Sequence, residues 1–256
     1  MLEAELGEEV TCDGLTATSW IFQRRRGHRH STDDVLTGFY ALAKSPPVTT
    51  LLDLGTGIGT VGLLVLFGMP ADARLTCIEA QEVSFRLLRD NIAVNGVAER
   101  VDAIHGDLRD LSLDQRFPLV TGSPPYFDPS AGIIPADSQK AHARFELRGD
   151  VRDYARAACR HLTPGGLFVF CFPWPQKQRA LDAATSEGFA IVTHRDVIPR
   201  EGITPLFSLF ACTLRAGEIA SEPAIPEAEP PLVVRDRAGA HTADMLAVRA
   251  GFGFRP

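Results

Sequence analysis

Three glycines at alternate positions close the run Leu51-Leu-Asp-Leu-Gly-Thr-Gly-Ile-Gly59, and they constrain the fold of this chain more than any other feature. A short apolar segment ends in Asp53, passes through Gly55, Gly57 and Gly59, and gives way to the apolar run 61–67. That order predicts a buried strand, a tight turn and a helix. Glycine lets the backbone come close to a ligand, because no Cβ intervenes and positive φ costs little. The helix that follows offers unpaired N–H groups at its start. The spacing is G-x-G-x-G, not the G-x-G-x-x-G that seats a dinucleotide pyrophosphate.

The strands that follow point to one ligand-binding rim. The apolar segment 73–78 ends in Glu79, about where doubly wound nucleotide folds place a ribose-binding acid. Segment 101–105 runs into Gly106-Asp107, and segment 117–121 into Gly122-Ser-Pro-Pro-Tyr-Phe127. Helices are predicted over 83–94, 151–162 and 177–187, whereas 190–197 and 206–214 follow each other as strands with no helix between. The expected fold is α/β and Rossmann-like: a mostly parallel seven-stranded sheet, an antiparallel last strand, and helices on both faces.

At 256 residues and 45% hydrophobic, the chain can bury a full core. Residues 1–48 read as a hairpin, a basic segment and a capping helix, and 49–215 as the core. Residues 216–231 read as a Pro- and Glu-rich linker and 232–256 as a C-terminal tail. No apolar run approaches bilayer length, and the acidic start lacks the features of a signal peptide. Cys12, Cys77, Cys159, Cys171 and Cys212 form no C-x-x-C, so core thiols are expected rather than structural zinc. The chain reads as cytoplasmic.

The formal net charge of −6 does not advertise nucleic-acid binding, but the basic residues are concentrated. Arg24, Arg25, Arg26 and Arg29, with His28 and His30, form either a phosphate-holding patch or a solvated hairpin end. Metal binding by the two histidines lacks a carboxylate or thiol partner, so a basic or packing role is expected for them. In the turn after the fourth strand, two prolines leave nearby carbonyls outside any ladder. The Ser123 hydroxyl and the Pro124 carbonyl can then both accept from one planar amino group. Tyr126 offers a face on which a flat base stacks. Such a pair of acceptors exposes the nitrogen lone pair for attack on an electrophilic methyl. Lys140 and Arg144, in the long segment 128–148, are expected contacts for a substrate phosphate or carboxylate, or are solvated loop residues.

Taken together, these motifs resemble class I S-adenosylmethionine-dependent methyltransferases with the Asn/Asp/Ser-Pro-Pro-aromatic motif of amino-group enzymes. The chain most resembles the bacterial tRNA-valine adenine-N6 methyltransferase family. The carriers are Ser31-Thr-Asp-Asp-Val-Leu-Thr-Gly38, Leu52-Asp-Leu-Gly-Thr-Gly57, Glu79, Gly106-Asp107, Ser123-Pro-Pro-Tyr-Phe127 and Pro164-Gly-Gly166. The resemblance implies that Asp53, Gly55, Gly57 and Gly59 shape the methionine side of the cofactor pocket, with Thr32 and Asp33 closing over it. Glu79 would hold the ribose and Asp107 the cofactor's adenine amino group. Ser123, Pro124 and Tyr126 would orient the target amine, beside Pro125 and Phe127, with no base needed before attack. The implied substrate is adenine N6 in tRNA. A protein glutamine amide, a small amine or DNA cytosine stay open, as does a catalytically silent module that binds the cofactor or RNA. The family usually carries Asn where this chain has Ser123, and Ser-Pro-Pro-Tyr is also typical of cytosine-N4 methyltransferases of DNA.

Overall fold

The computed structural model describes residues 9–130, 132–215 and 227–254. Strands β1 (Val10–Gly14) and β2 (Trp20–Arg24) form an antiparallel hairpin, and α1 (Thr32–Lys44) follows it. Then come β3 (Thr50–Leu54), α2 (Thr60–Gly68), β4 (Arg74–Glu79), α3 (Glu82–Val94), β5 (Val101–His105) and β6 (Phe117–Gly122). Two helices, α4 (Ser138–Arg144) and α5 (Val151–His161), precede β7 (Leu162–Pro173). The rest is α6 (Lys177–Ser186), β8 (Phe189–Ile198), β9 (Phe207–Leu214), β10 (Glu227–Val233) and α7 (Ala243–Gly251). The main sheet runs β10-β8-β9-β7-β6-β3-β4-β5, with β9 antiparallel to both its neighbours.

Burial on both faces explains why the strands read as unbroken apolar runs. In β3, Leu51 packs into the core under α1–α3, while Leu52 and Leu54 pack into the core under α5 and α6. In β7, Phe168, Phe170 and Phe172 join the second core and Val169 and Cys171 the first. Helix α2 is buried from Thr60 to Leu66 because α1 covers its outer side. Gly38 permits that contact: a Cβ there would stand 3.1 Å from Leu64 Cβ.

The sheet has eight strands rather than seven. The eighth, β10, lies partly in the stretch that reads as linker and pairs parallel with β8. Pro230 and Pro231 fit because β10 is an edge strand and its register shifts between Glu229 and Leu232. Glu229 turns inward to accept from the Tyr40 hydroxyl (2.8 Å) and pair with Lys44 (2.7 Å). Residues 216–226 of the expected linker lie outside the described residues. The long segment after Phe127 is also less irregular than expected. Asp137 caps α4 by accepting from the Lys140 N–H (2.9 Å), and Phe145 returns against Phe127 with ring centroids 5.6 Å apart.

Two asparagines one turn apart, Asn91 on α3 and Asn95 at its C-cap, hold the hairpin. Asn91 accepts from the Phe22 N–H (2.5 Å) and donates to the carbonyls of Phe22 (3.1 Å) and Ile58 (2.9 Å). Asn95 exchanges the corresponding pair with Trp20, at 2.9 and 2.7 Å. Side-chain amides thus serve β2 as a neighbouring strand would, and Asn91 ties it to the glycine turn. Asn91→Ala strands three backbone groups and should cost about 2–4 kcal/mol in chemical denaturation, with lost exchange protection at Phe22. Asn95→Ala, at an exposed site, should cost about 1 kcal/mol or less.

A pH response follows from His161, which is buried. Its Nδ1 faces the Ala157 carbonyl (2.8 Å) and its Nε2 accepts from the Leu113 N–H (3.0 Å). Burial holds its pKa below the ordinary 6.5. A depressed histidine pKa gives stability that is complete above the unfolded value and lost as pH falls through the folded one. Denaturation midpoints should therefore fall as the pH drops below 6.5, and His161→Gln should flatten that fall.

Candidate active site

The sheet order reverses between β3 and β6, where α/β sheets open a crevice at their carboxyl ends. A cleft of about 1130 Å³, its open mouth included, lies there. Its lining joins the glycine turn, the start of α1, the ends of β4 and β5, and the Ser123–Tyr126 turn.

Asp53 is buried and accepts from the hydroxyls of Thr56 and Thr121 and from the Gly62 N–H (3.0 Å). Burial pushes its carboxyl up, against the pull of these donors. Its oxygens are engaged by the protein itself, so it shapes the turn rather than reaching out of it. Gly55 and Gly57 both have φ near +60° but for different neighbours. A Cβ on Gly55 would fall 1.9 Å from Tyr154 Oη, whereas one on Gly57 would meet no protein atom within 4 Å. The space beside Gly57 is the cleft itself. Gly59 caps α2 against Leu88 and does not line the cleft.

Glu79 accepts from the N–H groups of Gly57 (2.8 Å) and Gln81 (2.6 Å), one on each oxygen. Burial raises its pKa and these bonds oppose the rise. One lone-pair direction per oxygen is left over. Asp107 also lines the cleft, but the Arg109 guanidinium grips its carboxylate at 3.0 and 2.7 Å and holds it below the usual range. Asp33 accepts from the Tyr126 hydroxyl (2.7 Å). Asp34 lines the cleft too, its carboxyl pushed well up by desolvation and by Asp33. Thr32, by contrast, is exposed at the start of α1, away from the cleft lining.

Ser123, Pro124, Pro125 and Tyr126 all line the cleft, and Phe127 stands exposed just beyond. The Tyr126 and Phe172 rings meet in a T-shaped contact with centroids 5.8 Å apart, so Tyr126 is held at both its ring and its hydroxyl. Much of the arginine patch is drawn into ion pairs: Arg24 with Asp137 (2.8 Å), Arg25 with Glu9 (2.6 Å) and Arg29 with Asp13 (2.9 Å). Arg26 is exposed, and neither it nor Lys140 nor Arg144 has an ion-pair partner among the described residues. Burial holds the His28 ring, at the cleft, below the ordinary 6.5; Asp33 opposes this, and Lys140 and Arg144 stand near enough to add to it. The His30 ring faces Gln23 Oε1 (3.3 Å), and no group of residues that could hold a metal ion occurs among the described residues.

The sequence concealed several participants. Tyr154 fills the space over Gly55 from α5, where it reads only as part of a helix face. Gln139 is buried, accepts from the His28 N–H (3.2 Å) and donates to Ser84 (3.2 Å), so it anchors α4 beside the cleft. Cys171 reads as a core thiol but contacts both Ser123 (3.4 Å) and Tyr126 (3.2 Å). No local pattern marks any of the three.

These residues fit S-adenosylmethionine. The open space at Gly57, the free acceptor capacity of buried Glu79 and the carboxyls of Asp33 and Asp34 suit a nucleoside joined to a cationic amino-acid tail. Such a cleft on such a sheet defines a class I methyltransferase. The model of the methyltransferase small domain family matches residues 33–149. A protein from Aeromonas hydrophila named tRNA1(Val) (adenine(37)-N6)-methyltransferase is 30% identical over 174 residues, covering 67% of this chain and 70% of its own. One of the same name from Klebsiella pneumoniae is 27% identical, covering 73% and 76%. The fold matches an Agrobacterium tumefaciens protein described as a predicted O-methyltransferase (TM-score 0.64, 18% identity, 87% and 98% covered). It also matches Pyrococcus horikoshii TYW2 in complex with MeSAdo (TM-score 0.57, 15% identity, 80% and 71% covered). The chain belongs to the family of its Aeromonas and Klebsiella relatives, among the S-adenosylmethionine-dependent methyltransferases.

The two glycines separate packing from binding. Gly57→Ala should fold with a loss of about 1 kcal/mol from backbone strain, yet weaken cofactor binding in calorimetry by about tenfold or more. Gly55→Ala adds the collision with Tyr154 and should lose several kcal/mol of stability as well.

Proposed function

We propose that the chain methylates an exocyclic amine, adenine N6 in tRNA, held against the Ser123–Tyr126 turn. One observation carries this reading: a Tyr126 ring fixed by Asp33 and Phe172 at a cleft that Ser123 and Pro124 also line. In it, Glu79 holds the ribose of the cofactor, Asp107 receives its adenine amino group, and the glycine turn with Asp33 borders its methionine end. The bound cofactor supplies an electrophilic methyl on a sulfonium. Ser123 and the Pro124 carbonyl accept the two N–H bonds of the target amine, which directs its lone pair, and Tyr126 stacks on the base. The nitrogen can shed its proton after transfer, so the protein contributes chiefly alignment.

The tRNA part draws on the names of the relatives and on Lys140 and Arg144 near the cleft. With Arg26 they place uncommitted positive charge where a phosphate backbone could run, despite the net charge of −6. The paired arginines then act mainly by setting the hairpin and α4.

The test is label transfer from the cofactor into unmodified bulk tRNA, with DNA and total protein as parallel acceptors and digestion to nucleosides for mass spectrometry. N6-methyladenosine in tRNA supports the reading, and label confined to protein or DNA overturns it. Tyr126→Ala should lower kcat/KM about 10- to 100-fold through lost stacking, while Tyr126→Phe, which keeps the ring but loses the hydroxyl held by Asp33, should fall between the two. Lys140→Ala with Arg144→Ala should raise KM for tRNA and flatten its salt dependence, leaving cofactor affinity unchanged.

A further inference from the structure

Serine and asparagine differ in polarity as well as in reach. An amide presents a carbonyl that only accepts, whereas a hydroxyl carries a proton that can be turned toward the substrate. A Ser123 hydroxyl pointing its proton into the cleft would oppose the N–H groups of an incoming amine. Its surroundings decide which way the proton goes.

Three groups lie in sequence beneath Ser123. Its Oγ is 3.4 Å from Cys171 Sγ, that sulfur is 3.2 Å from Tyr126 Oη, and the Tyr126 hydroxyl is 2.7 Å from Asp33 Oδ2. Tyr126, Cys171 and Ser123 each have one proton to give, and the Asp33 carboxylate has none. The tyrosine proton is taken by Asp33, so the phenol oxygen faces the thiol as an acceptor. Thr37, which also contacts the thiol, spends its proton on the Asp33 carbonyl (2.7 Å) and faces Cys171 as an acceptor too. The S–H is therefore directed toward α1 and the tyrosine. The sulfur is left as an acceptor, and Ser123 is the donor it faces. Burial pushes the Cys171 thiol up to about 12, so it keeps its proton at neutral pH.

We infer that Asp33, Tyr126 and Cys171 form a directional relay that orients the Ser123 hydroxyl as an acceptor toward the cleft, with Cys171 a positioning residue for the target amine. The relay gives serine the polarity that an amide carbonyl has by construction. It rests on the proposed role of Ser123 and adds a selectivity: the site takes N–H donors and disfavours an acceptor nitrogen of similar shape. Both terminal groups, Asp33 and Ser123, line the cleft, whereas Cys171 is fully buried and cannot touch the substrate.

A double-mutant cycle tests this, read as methyl transfer by the full chain into whichever acceptor accepts label. Cys171→Ala should lower kcat about 3- to 10-fold, the worth of one neutral hydrogen bond, with KM for the cofactor unchanged. Cys171→Ser, which can both accept and donate, should recover most of that loss. In a Ser123→Ala background, where no hydroxyl remains to be turned, Cys171→Ala should have no further effect; in Ser123→Asn it should have almost none. An equal loss from Cys171→Ala in all three backgrounds would mean a packing role and overturn the relay. So would failure of Cys171→Ser to rescue while cofactor binding and thermal stability stay intact. Should the unsubstituted chain transfer no label to any acceptor, the reading of the Ser123 turn falls and the relay with it. An active chain with additive effects removes the relay alone.

Discussion

A buried carboxylate at the end of β3 joins most of what surrounds the cleft. Asp53 receives a hydroxyl from the turn, an N–H from α2 and a hydroxyl from β6. Taking a carboxylate out of water is expensive unless its acceptor capacity is filled, and here three donors from three segments fill it. The requirement runs both ways. The carboxylate needs those donors, and the donors can reach it only if the turn follows its tight path and α2 comes close. Gly62 permits the approach, since a Cβ there would already stand 3.0 Å from Asp53 Oδ2. One charge thereby sets the height of the glycine turn above the sheet, and with it the face that Gly57 shows to the cleft.

Around that fixed point, the N-terminal segment behaves as part of the site. Asn91 couples β2 to the Ile58 carbonyl in the turn, and Gln139 couples the segment after β2 to α4. Asp33 at the start of α1 reaches across to Tyr126. The hairpin, the first helix and the Ser123–Tyr126 turn are consequently held to the glycine turn by polar groups, not by apolar packing alone. These bonds have fixed directions, so movement of one segment would be felt at the others.

The core fold was legible because it repeats a local rule: an apolar run, a special residue at its end, then a helix. Gly55, Gly57, Glu79 and the Ser123–Tyr126 turn could be found that way, as each ends a strand on the same rim. β10 was not legible, since Pro230 and Pro231 read as linker until an edge position and a register shift make room for them. The ion pairs of the arginine patch were not legible either. Clustering in sequence shows where charge is dense, but the acids that take it up come from elsewhere: Glu9 and Asp13 from the hairpin side, Asp137 from the cap of α4. Cys171, Tyr154 and Asn91 act through contacts between segments distant in sequence, and their own surroundings in the chain resemble any strand or helix.

Charge is also sorted by depth, which a net value conceals. The carboxyls of Asp33, Asp34, Asp53 and Glu79 line the cleft, where a sulfonium and an ammonium group need negative neighbours. Lys140 and Arg144 sit on α4 beside that interior, near His28. For the proposed tRNA substrate, a cationic donor has to lie within a few ångströms of a negatively charged acceptor strand. Mixing the two signs at one depth would pair them with each other, as happens to Arg24 and Asp137. Keeping acids inside and free cations on a separate helix avoids that loss. His28 also lines the cleft, where burial lowers its pKa, Asp33 opposes that and Lys140 and Arg144 add to it. Under the tRNA proposal, the cations on α4 meet phosphate while Asp33 remains committed to Tyr126, so binding the polymer need not disturb the Tyr126 ring.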